Sequence, residues 1–368
     1  DTAPDDDDVV DDDDTAPDDD DVVQPDCDVF FVKGTSQGSF EMWTWNGAGF
    51  DSPSTHNPSG QGTVWGVVAG DFDGDGDLDA ISNRGNGYTA HLWSSNCDGT
   101  FGESNVTNSG FTFPDGDEDV QGVADLDNDG DLDVYGWGYF DGDGVVWLNG
   151  GDGTSWTLVD NAFTLADWDP DQDSIHESVA LGSYDLTADG LPDLFACTNN
   201  TQSPTSCTVH VGNGDGTFGA VPGTSLAQVV NGVAVADFTG GGLDVLGGLD
   251  DDGDPGQVWI WEPSTLGPAP YSGPGVAALD VNPGDESGND EPGYGWMFPW
   301  DWDGDGDQDI VANVLSSFND NTLTLWYVEN LGGSNAAGWA APVQIGESEG
   351  STGGDTIVQS SVGMPIFN

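Results

Sequence analysis

Basic residues are almost missing. The 368-residue chain holds 2 Lys+Arg against 68 Asp+Glu, a formal net charge of −66. Lys33 and Arg84 alone cannot displace the counterions of a phosphate backbone, which excludes nucleic acid as a partner. An anionic membrane surface is excluded on the same ground. No apolar run approaches the roughly 20 residues that span a bilayer, so no membrane insertion is expected. No secretory leader is recognisable, and any that existed is expected to have been removed. Helix formers are scarce and apolar residues never settle into a spacing of three and four, which argues against a helical bundle.

What remains is rich in turns and rings. The chain has 57 Gly and 20 Pro, yet 15 Trp, 16 Phe and 7 Tyr supply large apolar side chains for a core. Short alternating segments such as 256–261 read as strands, so the composition predicts an all-β fold.

Glutamate is scarce as well. Only ten of the 68 acids are Glu, leaving 58 Asp. A generally acidified surface uses both residues, whereas a short carboxylate is favoured where a tight turn must reach a cation. Two zones hold much of this Asp. Residues 1–21 carry 13 of them, within a segment in which residues 1–10 recur as 14–23. Taken alone, such a like-charged run is expected to be disordered, so residues 1–24 read as an acidic extended tail and 25–368 as one domain.

The second zone is a phrase that recurs with starts at 71, 125, 185, 237 and 301, spaced by 54, 60, 52 and 64 residues. Each spacing suits one four-stranded antiparallel unit, the size of a propeller blade. The first copy carries Asp71, Asp73, Asp75, Asp77 and Asp79, and the second Asp125, Asp127, Asp129, Asp131 and Asp133. The third carries Asp185, Thr187, Asp189, Leu191 and Asp193, and the last Asp301, Asp303, Asp305, Asp307 and Asp309. A worn copy runs from Asp237 to Asp244, one residue shorter. In Asp-x-Asp-x-Asp-Gly the carboxylates at positions 1, 3 and 5 converge when the chain curls, and the glycine permits the sharp turn. Position 7 offers its backbone carbonyl and the acid at position 9 closes the shell. Such an all-oxygen set suits calcium, whereas zinc prefers Cys or His. An EF-hand needs a glutamate at position 12, where this chain has Ser82, Gly136, Ala196 or Ala312, and a helix, where it has strand-like residues. The worn copy, without carboxylates at positions 3 and 5, reads as a weaker, metal-free turn.

These phrases resemble the FG-GAP (VCBS-type) repeats of β-propellers related to the integrin α-subunit head. The resemblance extends to a small-apolar strand before the loop, at 64–70 and 230–236, and to an Asp-Gly-Thr-Phe-Gly turn at 98–102 and 215–219. It implies a propeller of four-stranded blades, six in number with seven as the alternative. Residues 26–32 and 40–45 resemble the second and third strands of a unit whose first strand is supplied by 356–367, so that the termini meet in one blade. Four cysteines suit an oxidising compartment and allow three pairings. In the repeat phase Cys197 and Cys207 face each other across a hairpin, and Cys27 with Cys97 forms the second expected pair.

No Ser/His/Asp or Cys/His arrangement is readable among the four His, and His91 and His210 fall in strands where packing is the common role. The acidic stretches at 115–119, 167–173 and 285–291 read as solvated loops or further cation sites, and the strand tryptophans as core. The expectation is therefore a non-enzymatic, extracellular or cell-surface calcium-binding protein. Its role is that of an assembly subunit, a homo-polymer or filament component whose tail contacts a neighbouring copy. The alternative is a calcium-dependent adhesion head that binds a glycan or a surface receptor.

Overall fold

Each Asp-rich phrase ends as a strand begins. Asp79, Asp133, Asp193, Asp244 and Asp309 are the first residues of strands Asp79–Arg84, Asp133–Gly138, Asp193–Thr198, Asp244–Leu249 and Asp309–Leu315. The strands that precede the phrases are Val64–Gly70, Glu118–Ala124, Val179–Tyr184, Val230–Ala236 and Tyr294–Trp300. The loops therefore turn the chain between the first and second strands of each unit. In this computed structural model the described residues lie between 30 and 348, apart from short connections and the longer segments 166–178, 262–275 and 281–293.

Every unit is an antiparallel meander. Among the described residues there are five four-stranded sheets, spanning 64–105, 118–164, 179–225, 230–280 and 294–348. A three-stranded sheet spans 30–56, built from Phe30–Gly34, Phe40–Thr44 and Ser54–His56. It holds the second- and third-strand segments expected there, and no first strand for it occurs among the described residues. Segment 356–367, expected to supply it, lies outside the described residues, as do the tail 1–24, Cys27 and Cys97. The first strands of the four-stranded sheets lie side by side in sequence order, from Val64–Gly70 through to Tyr294–Trp300. The result is an all-β, propeller-like arrangement without an α-helix among the described residues.

The sheets bury both faces, and period-2 alternation decides which neighbour each side chain meets. In sheet 64–105, Val67, Ala69, Ala80 and Trp93 pack with Phe40 and Met42 of sheet 30–56. Val68, Ile81 and Leu92 pack the opposite way, with Val120, Val134 and Trp147 of sheet 118–164. The next layer sets Ala124, Tyr135, Trp137 and Val146 against Leu194 and Ala196. Trp43 and Trp147 are core residues, as their strand positions predict. His91 and His210 are buried too, with His91 Nδ1 2.9 Å from Glu103 Oε1. The second and third strands of sheet 179–225 set Cys197 directly opposite Cys207.

Candidate metal centre

The loops are fastened at both ends by their own side chains. Position 2 inserts an apolar plug, and Phe72, Leu126, Phe238 and Trp302 are all buried. Position 6 needs a left-handed backbone, which glycine supplies: φ is 91° at Gly76, 99° at Gly130, 86° at Gly190 and 99° at Gly306. Position 4 is left-handed as well in loops 71–79, 125–133 and 185–193, and in the last this places Ala188 at φ 58°.

The acid at position 9 is fully buried in all five loops. Asp79 accepts the Phe72 N–H at 3.1 Å through Oδ2 and the Ser95 N–H at 2.9 Å through Oδ1. Asp133 does the same with Leu126 and Asn149, both at 2.8 Å, and Asp309 with Trp302 at 3.1 Å and Asn330 at 2.8 Å. In loop 185–193, Asp193 takes the N–H groups of Thr187 at 2.9 Å and Gly212 at 3.0 Å. In these four loops one carboxylate thus ties the start of the loop to the end of the third strand or, at Asn330, to the residues just past it. Sequence reasoning missed this clamp, because its second partner lies 16 to 21 residues downstream in a different strand.

Position 1 wraps the loop around itself. Asp71 accepts from Gly74 and Gly76, and Asp125 from Asp129 and Gly130. Asp185 repeats the pattern with Asp189 and Gly190, and Asp301 accepts from Gly306. Position 5 turns back on the chain: Asp75, Asp129, Asp189 and Asp305 each accept the N–H two residues on. Position 3 is different. Oδ1 of Asp73 and Oδ1 of Asp127 are shut off from solvent and have no hydrogen-bond partner; at position 1 the same holds for Oδ1 of Asp301.

In two loops these acids converge. Ligand oxygens of Asp71, Asp73 and Asp79 lie within 4.8 Å of one another, as do those of Asp125, Asp127 and Asp133. The structure therefore brings together positions 1, 3 and 9, while position 5 stands outside the tightest group. Crowding shows in the protonation equilibria. Burial, with the Asp73 and Asp75 charges adding to it, pushes Asp79 up to about 7 against the pull of two backbone N–H groups. Asp133 rises to about 7 for the same reasons. Burial first, then the carboxylate two residues on, raises Asp73 and Asp127. A divalent cation reverses this balance, since it favours the charged form of each oxygen that it meets. The orphaned position-3 oxygens and the all-carboxylate donor set fit calcium.

Loop 185–193 keeps the same backbone with two carboxylates fewer, Thr187 standing at position 3 and Leu191 at position 7. In the worn loop, Asp244 accepts from both Phe238 and Thr239, at 3.1 Å and 3.0 Å. Burial raises Asp244 to about 6, opposed by the Thr239 hydroxyl and these two N–H groups. Asp303 lies outside the described residues. One acidic stretch departs from the sequence expectation. Glu118 is not a solvated loop acid: it is buried and accepts the N–H groups of Asp115 at 2.7 Å and Gly116 at 2.9 Å, closing the turn before its strand.

A profile of the FG-GAP-like repeat matches residues 25–82, which include the first three-stranded unit and loop 71–79. Residues 25–82 thus carry an FG-GAP-like repeat, within a propeller-like arrangement of sheets. No curated protein matches its sequence. Among solved structures, a lectin from Agrocybe aegerita, described as recognising non-reducing terminal N-acetylglucosamine, is 20% identical. That match covers 86% of this chain and 79% of the lectin with a TM-score of 0.51. A nidogen/laminin complex is 10% identical, covering 92% of this chain and 98% of that one at a TM-score of 0.49. The AofleA protein of Arthrobotrys oligospora is 11% identical over 88% and 90% of the two chains, also at 0.49. At 20% identity the likeness to the lectin is one of fold. No helix among the described residues is long and apolar enough to cross a membrane.

Proposed function

We propose that this FG-GAP propeller is a non-enzymatic, extracellular calcium-binding protein whose cations stabilise the fold, and that it acts as an assembly subunit. The observation that carries the calcium reading is the unpartnered, solvent-free Oδ1 of Asp73 and of Asp127, each set among other carboxylate oxygens. Asp71, Asp73 and Asp79 would hold one ion, and Asp125, Asp127 and Asp133 a second. Loops 185–193 and 301–309 offer two further sites, and loop 237–244 none. The ion supplies positive charge that lets each cluster ionise at neutral pH. The chain's own residues shape the loop and connect it to the third strand.

Six blades follow if segment 356–367 completes the sheet at 30–56, which would otherwise leave an unpaired edge. The assembly reading rests on the duplicated acidic segment at 1–24, which needs divalent cations or a neighbouring subunit to offset its charge. The likeness to a lectin favours a second reading, a calcium-dependent head that binds a glycan. Thermal melting with and without a chelator tests the calcium reading: an ion that binds only the folded state raises Tm by mass action, so chelation should lower it. An unchanged Tm removes calcium from the account. Sedimentation in millimolar calcium separates the other two, since an assembly subunit forms larger species and a glycan-binding head stays monomeric.

A further inference from the structure

We propose that the Asn149 side chain couples calcium binding at loop 71–79 to calcium binding at loop 125–133, so that the two ions enter with positive cooperativity. The inference rests on the calcium reading of those loops and adds to it a connection between them.

Asn149 closes strand Asp143–Asn149 and is 4% exposed. Its backbone N–H donates to Asp133 Oδ1 at 2.8 Å, within its own sheet. Its Nδ2 donates to the Phe72 carbonyl of the preceding sheet, also at 2.8 Å. Its Oδ1 accepts the N–H groups of Gly151 and Gly153, at 3.2 Å and 3.1 Å, and so holds the turn that follows. The Phe72 N–H in turn donates to Asp79 Oδ2. A hydrogen-bonded path therefore runs from Asp79 through residue 72 and Asn149 to Asp133. Its two end residues are 0% exposed. The turn is also wedged between the two loops. A side chain on Gly151 would meet Asp131 Oδ2 at 2.5 Å, and one on Gly153 would meet Leu92 at 2.8 Å and the Phe72 carbonyl at 3.2 Å.

The physical consequence follows from shared ordering. An ion at loop 71–79 fixes the Asp79 carboxylate and hence the peptide of residue 72. Through the amide of Asn149 it then restrains Asp133. The second ion meets a loop that is already ordered and loses less conformational entropy on binding, which makes the coupling positive and reciprocal.

The molecule contains its own control. Asn330 repeats the arrangement: its N–H donates to Asp309 Oδ1 at 2.8 Å, its Nδ2 to the Phe238 carbonyl at 3.0 Å, and its Oδ1 accepts from Gly332 at 3.0 Å. Phe238, however, belongs to loop 237–244, which has no carboxylate at positions 3 or 5. Asn330 joins two sheets with no second ion to sense.

The test is a calorimetric titration with calcium at fixed ionic strength, on the full chain carrying Asp185→Asn and Asp301→Asn so that two sites remain. The second ion should bind about fivefold or more tightly than the first, the lower range of measured couplings. Asn149→Ala should make the two ions independent, whereas Asn330→Ala should leave the cooperativity as it was and lower Tm. Without mutating Asn149, Asp73→Ala should weaken calcium at loop 125–133 by about fivefold or more. Independent binding in the parent, cooperativity that survives Asn149→Ala, or an unchanged affinity in Asp73→Ala overturns the coupling alone. No heat of calcium binding in any variant overturns the calcium reading with it.

Discussion

Carboxylates only a few residues apart carry different duties in these loops, and substitution separates them. Asp73 has one oxygen without a hydrogen-bond partner, whereas both oxygens of Asp79 hold backbone N–H groups. Asp73→Ala should therefore lower Tm in calcium and match the wild type once a chelator is present. Asp79→Ala leaves buried N–H groups unpaired, on the order of 1–3 kcal/mol each, and should remain less stable than the wild type even with chelator. Equal behaviour of the two variants in chelator would contradict the clamp. His210 offers a separate test, away from the loops. Its Nε2 is buried without a partner, its ring lies 5.3 Å from Phe163, and burial lowers its pKa from 6.5 to about 4. The unfolded chain takes up this proton first, so its contribution is intact above pH 6.5 and is lost as pH falls toward 4. The loss approaches a few kcal/mol, on the order of 1.4 per pKa unit. Urea midpoints for wild type and His210→Leu should diverge over that window and run parallel above it.

Strands here are apolar on both faces because each sheet is sandwiched, and their close approach sets a demand for glycine. A Cβ on Gly66 would lie 2.5 Å from the Val120 carbonyl and 2.6 Å from Asn83 Oδ1. Gly66→Ala must push sheets 64–105 and 118–164 apart, at a cost of about 1–3 kcal/mol read as a lower urea midpoint. Gly219 has open space at the same position, and Gly219→Ala should be neutral or stabilising by up to about 1 kcal/mol. The loops and the strands that flank them were legible from the sequence, since a phrase of nine residues bounded by apolar alternation is a local signal. The hairpin register that places Cys197 opposite Cys207 was legible too, because the repeat phase counts it out. The role of Glu118 was not. Its neighbours in sequence suggest a solvated acidic turn, and only the burial of the strand start makes it an acceptor for two backbone donors.

At the scale of the molecule, charge and closure are the open forces. A net charge of −66 makes bare copies repel one another, so assembly requires cations between chains or strand addition that outweighs the repulsion. Deleting residues 1–24 should leave a folded protein whose Tm still falls on chelation, but which sediments as a monomer in millimolar calcium. Larger species from the truncated chain would move the contact elsewhere, and a monomeric full-length chain would favour the glycan-binding head.

The amino-acid sequence by itself determined the parts whose partners are near in the chain. Four strands per unit, a left-handed glycine at position 6, and acids at positions 1 and 3 all act within a few residues of one another. Tertiary structure decided what depends on sheets meeting. It turned the position-9 acid into a clamp on the third strand, left one oxygen each of Asp73 and Asp127 without a partner, and set Asn149 against residue 72, 77 positions away. No spacing rule spans that distance. The contact exists because two sandwiched sheets pack face to face and bury a polar side chain that must then find its partners.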